Sequence, residues 1–120
     1  MHQVPVSDLD KVAQWQGLPL DWSKPGDILL VRFGWLEAFG KLNETEKQEL
    51  VLGPGKYVGI PANHESAEWL WNKKLAMVGG DNPAFELSPL VPGNFQGEMR
   101  SLHEILIAGK WKFTGSGRQV

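Results

Sequence analysis

Apolar residues recur at helical three- and four-residue intervals along 9–13 and again along 67–75, whereas the run from 27 to 33 is almost unbroken. Leu9, Val12 and Ala13, behind Ser7 and Asp10, predict a short helix whose free first-turn amides those polar side chains can satisfy, ended by Gly17. Pro19, Pro25 and Gly26 make residues 18–26 a connection, because proline lacks the amide that helix and sheet bonding require. Asp27-Ile28-Leu29-Leu30-Val31-Arg32-Phe33 then has the character of a strand covered on both faces, hence one in the middle of a sheet.

After Gly34, residues 35–39 form a helical turn, and Asn43 with Glu44 and Glu46 opens a polar surface helix running to about Val51. Gly53-Pro54-Gly55 breaks it, and Tyr57-Val58-Gly59-Ile60 is a short strand. Beyond Pro61, Asn63 caps a helix with Ala67, Leu70, Trp71 and Leu75 on one face and Trp69 and Lys73 elsewhere. It leads into the strand Leu75-Ala76-Met77-Val78-Gly79-Gly80 and the turn Asp81-Asn82-Pro83, so strand, helix and strand predict a parallel crossover. Residues 86–97 are loop, with Pro89, Pro92, Gly93 and Gly97. The last helix is predicted from Glu98 to Ala108, stopped by Gly109, with Met99, Leu102, Ile105, Leu106 and Ile107 on a broad apolar face.

Composition narrows the possible partners. A chain of 120 residues with 42% hydrophobic and 22% charged side chains is one globular domain or part of one. Twelve basic and fourteen acidic residues leave a formal charge of -2, which gives no field to draw the chain onto nucleic acid or an anionic membrane. No cysteine is present, which removes disulfides, thiolate zinc sites and cysteine nucleophiles. With no apolar run near the roughly 20 residues of a membrane span and no signal core in Met1 to Asp10, the expected compartment is the cytoplasm. The six tryptophans keep no fixed interval, so internal repeats are not expected.

Three groups of polar residues are candidates for chemistry. Asp81 and Asn82 follow a strand at its carboxyl end, where open parallel sheets bind ligands, or else they bond nearby backbone in a turn. His103 falls inside the apolar face of the last helix; it is either a buried neutral ring bonded to backbone or a ligand or base aimed into a cavity. His64 and Glu68, four residues apart, either share a solvated helix surface or form a local metal site, and His2 sits at a terminus prone to fraying. No H-E-x-x-H, no glycine-rich phosphate loop and no G-x-S-x-G around Ser66, Ser88 or Ser101 occurs.

Four blocks, taken in order, carry a resemblance. They are Gly26-Asp27-Ile28-Leu29-Leu30-Val31-Arg32-Phe33-Gly34-Trp35, Ala67-Glu68-Trp69-Leu70-Trp71, Gly80-Asp81-Asn82-Pro83-Ala84-Phe85-Glu86 and Leu102-His103-Glu104-Ile105-Leu106-Ile107-Ala108-Gly109. Together they resemble the fungal branch of the putative cyclase family, relatives of kynurenine formamidase and isatin hydrolase, from about Val6 to Gly109, with 110–120 a divergent tail.

The resemblance implies an α/β fold, a fragment of a swivelling β/β/α cyclase-like domain whose mostly parallel or mixed sheet is flanked by helices. It implies a divalent metal, zinc or manganese, activating water against a small amide or formamide such as N-formylkynurenine. It also implies His103 as a metal ligand, and Asp81 and Asn82 remain candidates for the substrate pocket. The family's H-x-G-T-H-x-D cluster is not in the chain, and no acid follows Glu104. A truncated chain with little or no hydrolase activity alone is therefore expected, since a catalytic zinc usually takes three protein ligands. The alternative is a non-catalytic binding or interaction domain that keeps the scaffold, its uncovered strand edges and apolar faces favouring self-association or a partner chain.

Overall fold

The computed structural model describes residues 2–108 of the chain. Among them are the helices α1 (Val6–Trp15), α2 (Trp35–Gly40), α3 (Glu44–Leu52), α4 (His64–Asn72) and α5 (Leu102–Ala108), and the strands β1 (Ile28–Val31) and β2 (Met77–Gly80). The fold is α/β. β1 and β2 pair in parallel, Ile28 opposite Met77 and Val31 opposite Gly80, so the expected crossover is present, with α2, α3 and α4 carrying the chain between them.

The local signals act as anticipated where they depend only on neighbouring residues. In α3 the Asn43 side chain accepts the Glu46 amide while the Glu46 carboxylate accepts the Asn43 amide, each at 2.9 Å. Asn63 caps α4 by accepting the Ser66 amide at 2.9 Å. α1 differs: it starts at Val6 behind Pro5, without a side-chain cap, because the Pro5 carbonyl accepts the Asp8 amide and places Ser7 inside the first turn. Tyr57, Gly59 and Ile60 do not form a continuous strand; each makes an isolated bridge to a different stretch, at Ser88, Gln3 and Glu86.

Val6 and Leu9 of α1, Ala67 and Leu70 of α4, Leu102 and Ile105 of α5, with Ile60, Phe85 and Phe95 from the connections, form one buried cluster. Each large side chain in it contributes about 1.5–3 kcal/mol by leaving water. α4 packs against both α1 and α5. Trp69, expected off the buried face, is partly buried against the core, and with Lys73 it joins a clasp: the Trp22 and Trp69 indoles both donate to the Asp10 carboxylate, and the Lys73 ammonium lies 4.6 and 4.5 Å from their ring centres.

Two further expectations are corrected. β1 is not a central strand covered on both faces; among the described residues it pairs with β2 alone, and its burial alternates, Leu29 and Val31 packing on the core while Leu30 is 72% exposed. An unbroken apolar run has no polar position to mark an open face, so its pattern could not separate one covered face from two. The last helix begins at Leu102 and not at Glu98, because Phe95 and Glu98 exchange backbone hydrogen bonds in a tight turn that holds 98–101 out of the helix. The expected stop at Gly109 and the tail 110–120 lie outside the described residues.

Candidate functional site

The parallel pairing brings the carboxyl ends of β1 and β2 side by side, so the turn after β2 faces the turn after β1. The Asp81 carboxylate accepts the amides of Phe33 at 2.6 Å, Gly34 at 3.1 Å and Leu36 at 3.3 Å, and so caps α2, whose own N-cap is Gly34. Asn82, buried, donates to the Val58 carbonyl at 2.7 Å and accepts the Phe85 amide at 3.1 Å. Both side chains thus bond backbone. Apart from the local Phe85 contact, the partners lie 24 to 48 residues away, which makes the pair a cross-brace between loops.

Desolvation pushes the Asp81 carboxyl up, but the amides of Phe33, Leu36, Asp81 itself and Gly34 together outweigh it and hold it below its ordinary 3.8. A lowered folded value means that ionised Asp81 stabilises the fold fully above the unfolded value, and that this contribution disappears as pH falls through the folded one. Asp81→Asn is therefore expected to cost about 1–2 kcal/mol at neutral pH, with the difference from the parent chain closing in strong acid. Urea unfolding at the two pH values checks this; an equal cost at both would assign the loss to shape and not to charge.

Beyond Asn82, Phe85 adopts φ of 62° and the chain turns Glu86 into the core. Glu86 Oε2 accepts the Leu102 amide at 2.5 Å, and its Oε1 lies 2.5 Å from His103 Nδ1. The free amides at the start of α5 are thereby shared out: Leu102 to Glu86, and Glu104 to the Ser101 hydroxyl at 3.1 Å. Glu86 was not among the candidates drawn from the sequence. The available signal was an acid within the apolar stretch Ala84-Phe85-Glu86-Leu87, a placement that calls for a buried partner.

His103 does not lie within the buried face of α5. Leu102 and Ile105 take that face, while the His103 side chain is 57% exposed and Ile107 is exposed as well. Leu106 packs against the core only partly buried, so the broad face drawn from spacing narrows to Leu102, Ile105 and Leu106. Instead, His103 lines a cavity of about 770 Å³ with Leu70, Trp71, Val78, Phe85 and Leu106, and Lys74 is also part of its wall. Asp81 and Asn82 lie outside that lining.

On α4, His64 Nε2 is 3.3 Å from Glu68 Oε2, with both side chains one-third exposed, and His2 is exposed. Among the described residues no group of three or more histidine or acidic side chains is gathered where it could hold a metal ion.

The model of the putative cyclase family matches residues 1–87, a span that takes in β1, α4, β2, the Asp81–Asn82 turn and Glu86 and ends before α5. No curated protein and no solved structure matches significantly. Since the matched span is well over half of the 120 residues, and its strands and cross-bracing turn form the scaffold described above, the chain belongs to the putative cyclase family.

Proposed function

We propose that this chain carries the aromatic pocket and one imidazole of a cyclase-family amide hydrolase acting on small aryl formamides of the N-formylkynurenine type, and that alone it turns them over little or not at all. The observation that carries the proposal is His103, held by Glu86 at one ring nitrogen while lining an apolar cavity of about 770 Å³. That volume lies within the range of small-molecule sites, which pair apolar walls with a few placed polar groups. Trp71 and Phe85 in the lining suit an aryl ring, and Lys74 at the wall brings a positive charge that suits a carboxylate on the same molecule.

A divalent zinc or manganese ion is what the family resemblance adds: when bound, such an ion lowers the pKa of its water and polarises a carbonyl. The described residues bring one imidazole to the cavity and no further donor set, so they do not build a cage for such an ion. The chain's own contribution is to bind and orient the ring of the amide beside His103.

Purification with zinc or manganese present, followed by metal analysis and a formylkynurenine hydrolysis assay, tests this reading. Metal well below one equivalent, background turnover and saturable quenching of tryptophan fluorescence by the formamide are expected. Stoichiometric metal with robust turnover would overturn the claim of weak activity, and no saturable binding would overturn the pocket.

A second reading, a non-catalytic interaction domain, is favoured by one feature: Ile28, Leu30 and Met77 leave the outer face of the strand pair exposed. Light scattering and unfolding separate the two. A monomer with one cooperative transition supports an independent module, and obligate association supports a hydrolase scaffold in need of cover. No helix among the described residues is long and apolar enough to cross a membrane.

A further inference from the structure

We infer that Glu86 is a positioning residue for His103: it holds the ring proton on Nδ1, so that Nε2 presents a bare lone pair to whatever enters the cavity. This rests on the reading of His103 as the imidazole of the site and adds what sets its chemistry. The Glu86 carboxylate is almost wholly removed from water, and its two oxygens meet two different groups, the Leu102 amide and His103 Nδ1, each at 2.5 Å. An ionised carboxylate only accepts hydrogen bonds, and an amide only donates one. With Oε2 committed to the Leu102 amide and the carboxyl taken as ionised, the group facing Oε1 donates, and that assigns the proton to Nδ1. A ring fixed in this way can accept a hydrogen bond at Nε2 or give its lone pair to an electron-poor centre, but it cannot donate from Nε2.

Three neighbours keep the carboxylate in place. The Asn82 side chain accepts the amide of Phe85, whose left-handed φ of 62° starts the turn into Glu86. Ile60 brackets the residue, donating its amide to the Phe85 carbonyl at 3.1 Å and accepting the Leu87 amide at 2.7 Å. Gly59 allows the Glu86 carbonyl to approach, since a Cβ there would stand 2.5 Å from that oxygen. A carboxylate behind an imidazole in this manner sets both the orientation and the tautomer of the ring.

Long-range proton–nitrogen correlation spectra of the uniformly ¹⁵N-labelled full chain, recorded in mildly alkaline buffer, test the inference directly. His103→Asn identifies the signals among the three histidines. His103 is expected with a pyrrole-like Nδ1 and a pyridine-like Nε2. In Glu86→Gln the single amide oxygen is retained by the Leu102 amide and the amide NH₂ group turns to the ring, so the two shifts should exchange. A parent chain whose His103 carries its proton on Nε2, or a folded Glu86→Gln chain with the shifts unchanged, would overturn the inference. Should that variant fail to fold, the parent spectrum alone decides. A zinc titration on the same sample reads the other matter: ring nitrogens that ignore zinc while Nδ1 keeps its proton count against a metal role for His103 and leave the part played by Glu86 standing.

Discussion

Gly59→Ala should destabilise the chain by about 3 kcal/mol and disturb His103 without touching it. The added methyl would lie 2.5 Å from the Glu86 carbonyl oxygen and 2.6 Å from the Leu87 amide nitrogen. Both obstacles are backbone, so no side chain can swing aside; the bridge between Ile60 and Glu86 must open, and the carboxylate withdraws from Leu102 and His103. Against a typical total stability of about 5–15 kcal/mol, such a loss is a large fraction. Urea unfolding measures it, and a chain within about 0.5 kcal/mol of the parent would show that the two segments part freely.

Phe95→Ala is expected to cost about 3–5 kcal/mol, the range for emptying an aromatic side chain from a packed core. Phe95 is 1% exposed and is the largest of the fully buried side chains. It comes from a turn and not from a helix, held by the Phe95–Glu98 backbone pair and by Asn94, whose side chain donates to the Ala62 and Arg100 carbonyls at 2.6 and 2.7 Å. The ring is therefore what seats the segment leading into α5, and a cavity there frees Leu102 and His103 together. Ile107→Ala is the comparison: spacing alone placed Ile107 on the same apolar face, yet it is exposed, so a change within about 0.5 kcal/mol is expected. Thermal unfolding of both variants checks the contrast, and equal losses would contradict the packing described for α5.

Where a structural signal is local, it was visible in the residues. Asn43 and Glu46 stand three apart and close a capping box, and Asn63 starts α4, because the groups that bond are separated by a single turn. The parallel crossover was equally legible, since two apolar runs with a helix between them have few other ways to pair. The failures at the strand face and at the site involve distance along the chain. Leu30 looks like core by its neighbours and is open because no described element lies over that face. His103 looks inward by helical spacing and sits at a cavity wall, because Glu86, seventeen positions earlier, sets where its ring rests.

The order of residues by itself determined the α/β class, the caps of α3 and α4 and, through the three ordered blocks that lie within residues 1–87, the family. Spacing and composition act over a turn or a strand, and that range suffices for each of these. Only the tertiary structure decided that Asp81 and Asn82 brace loops, that Glu86 is the buried partner of His103, and that the cavity belongs to α4, β2 and α5 together. Those outcomes depend on which amides remain unpaired once the elements pack, and an unpaired buried amide recruits its acceptor from wherever the chain happens to pass.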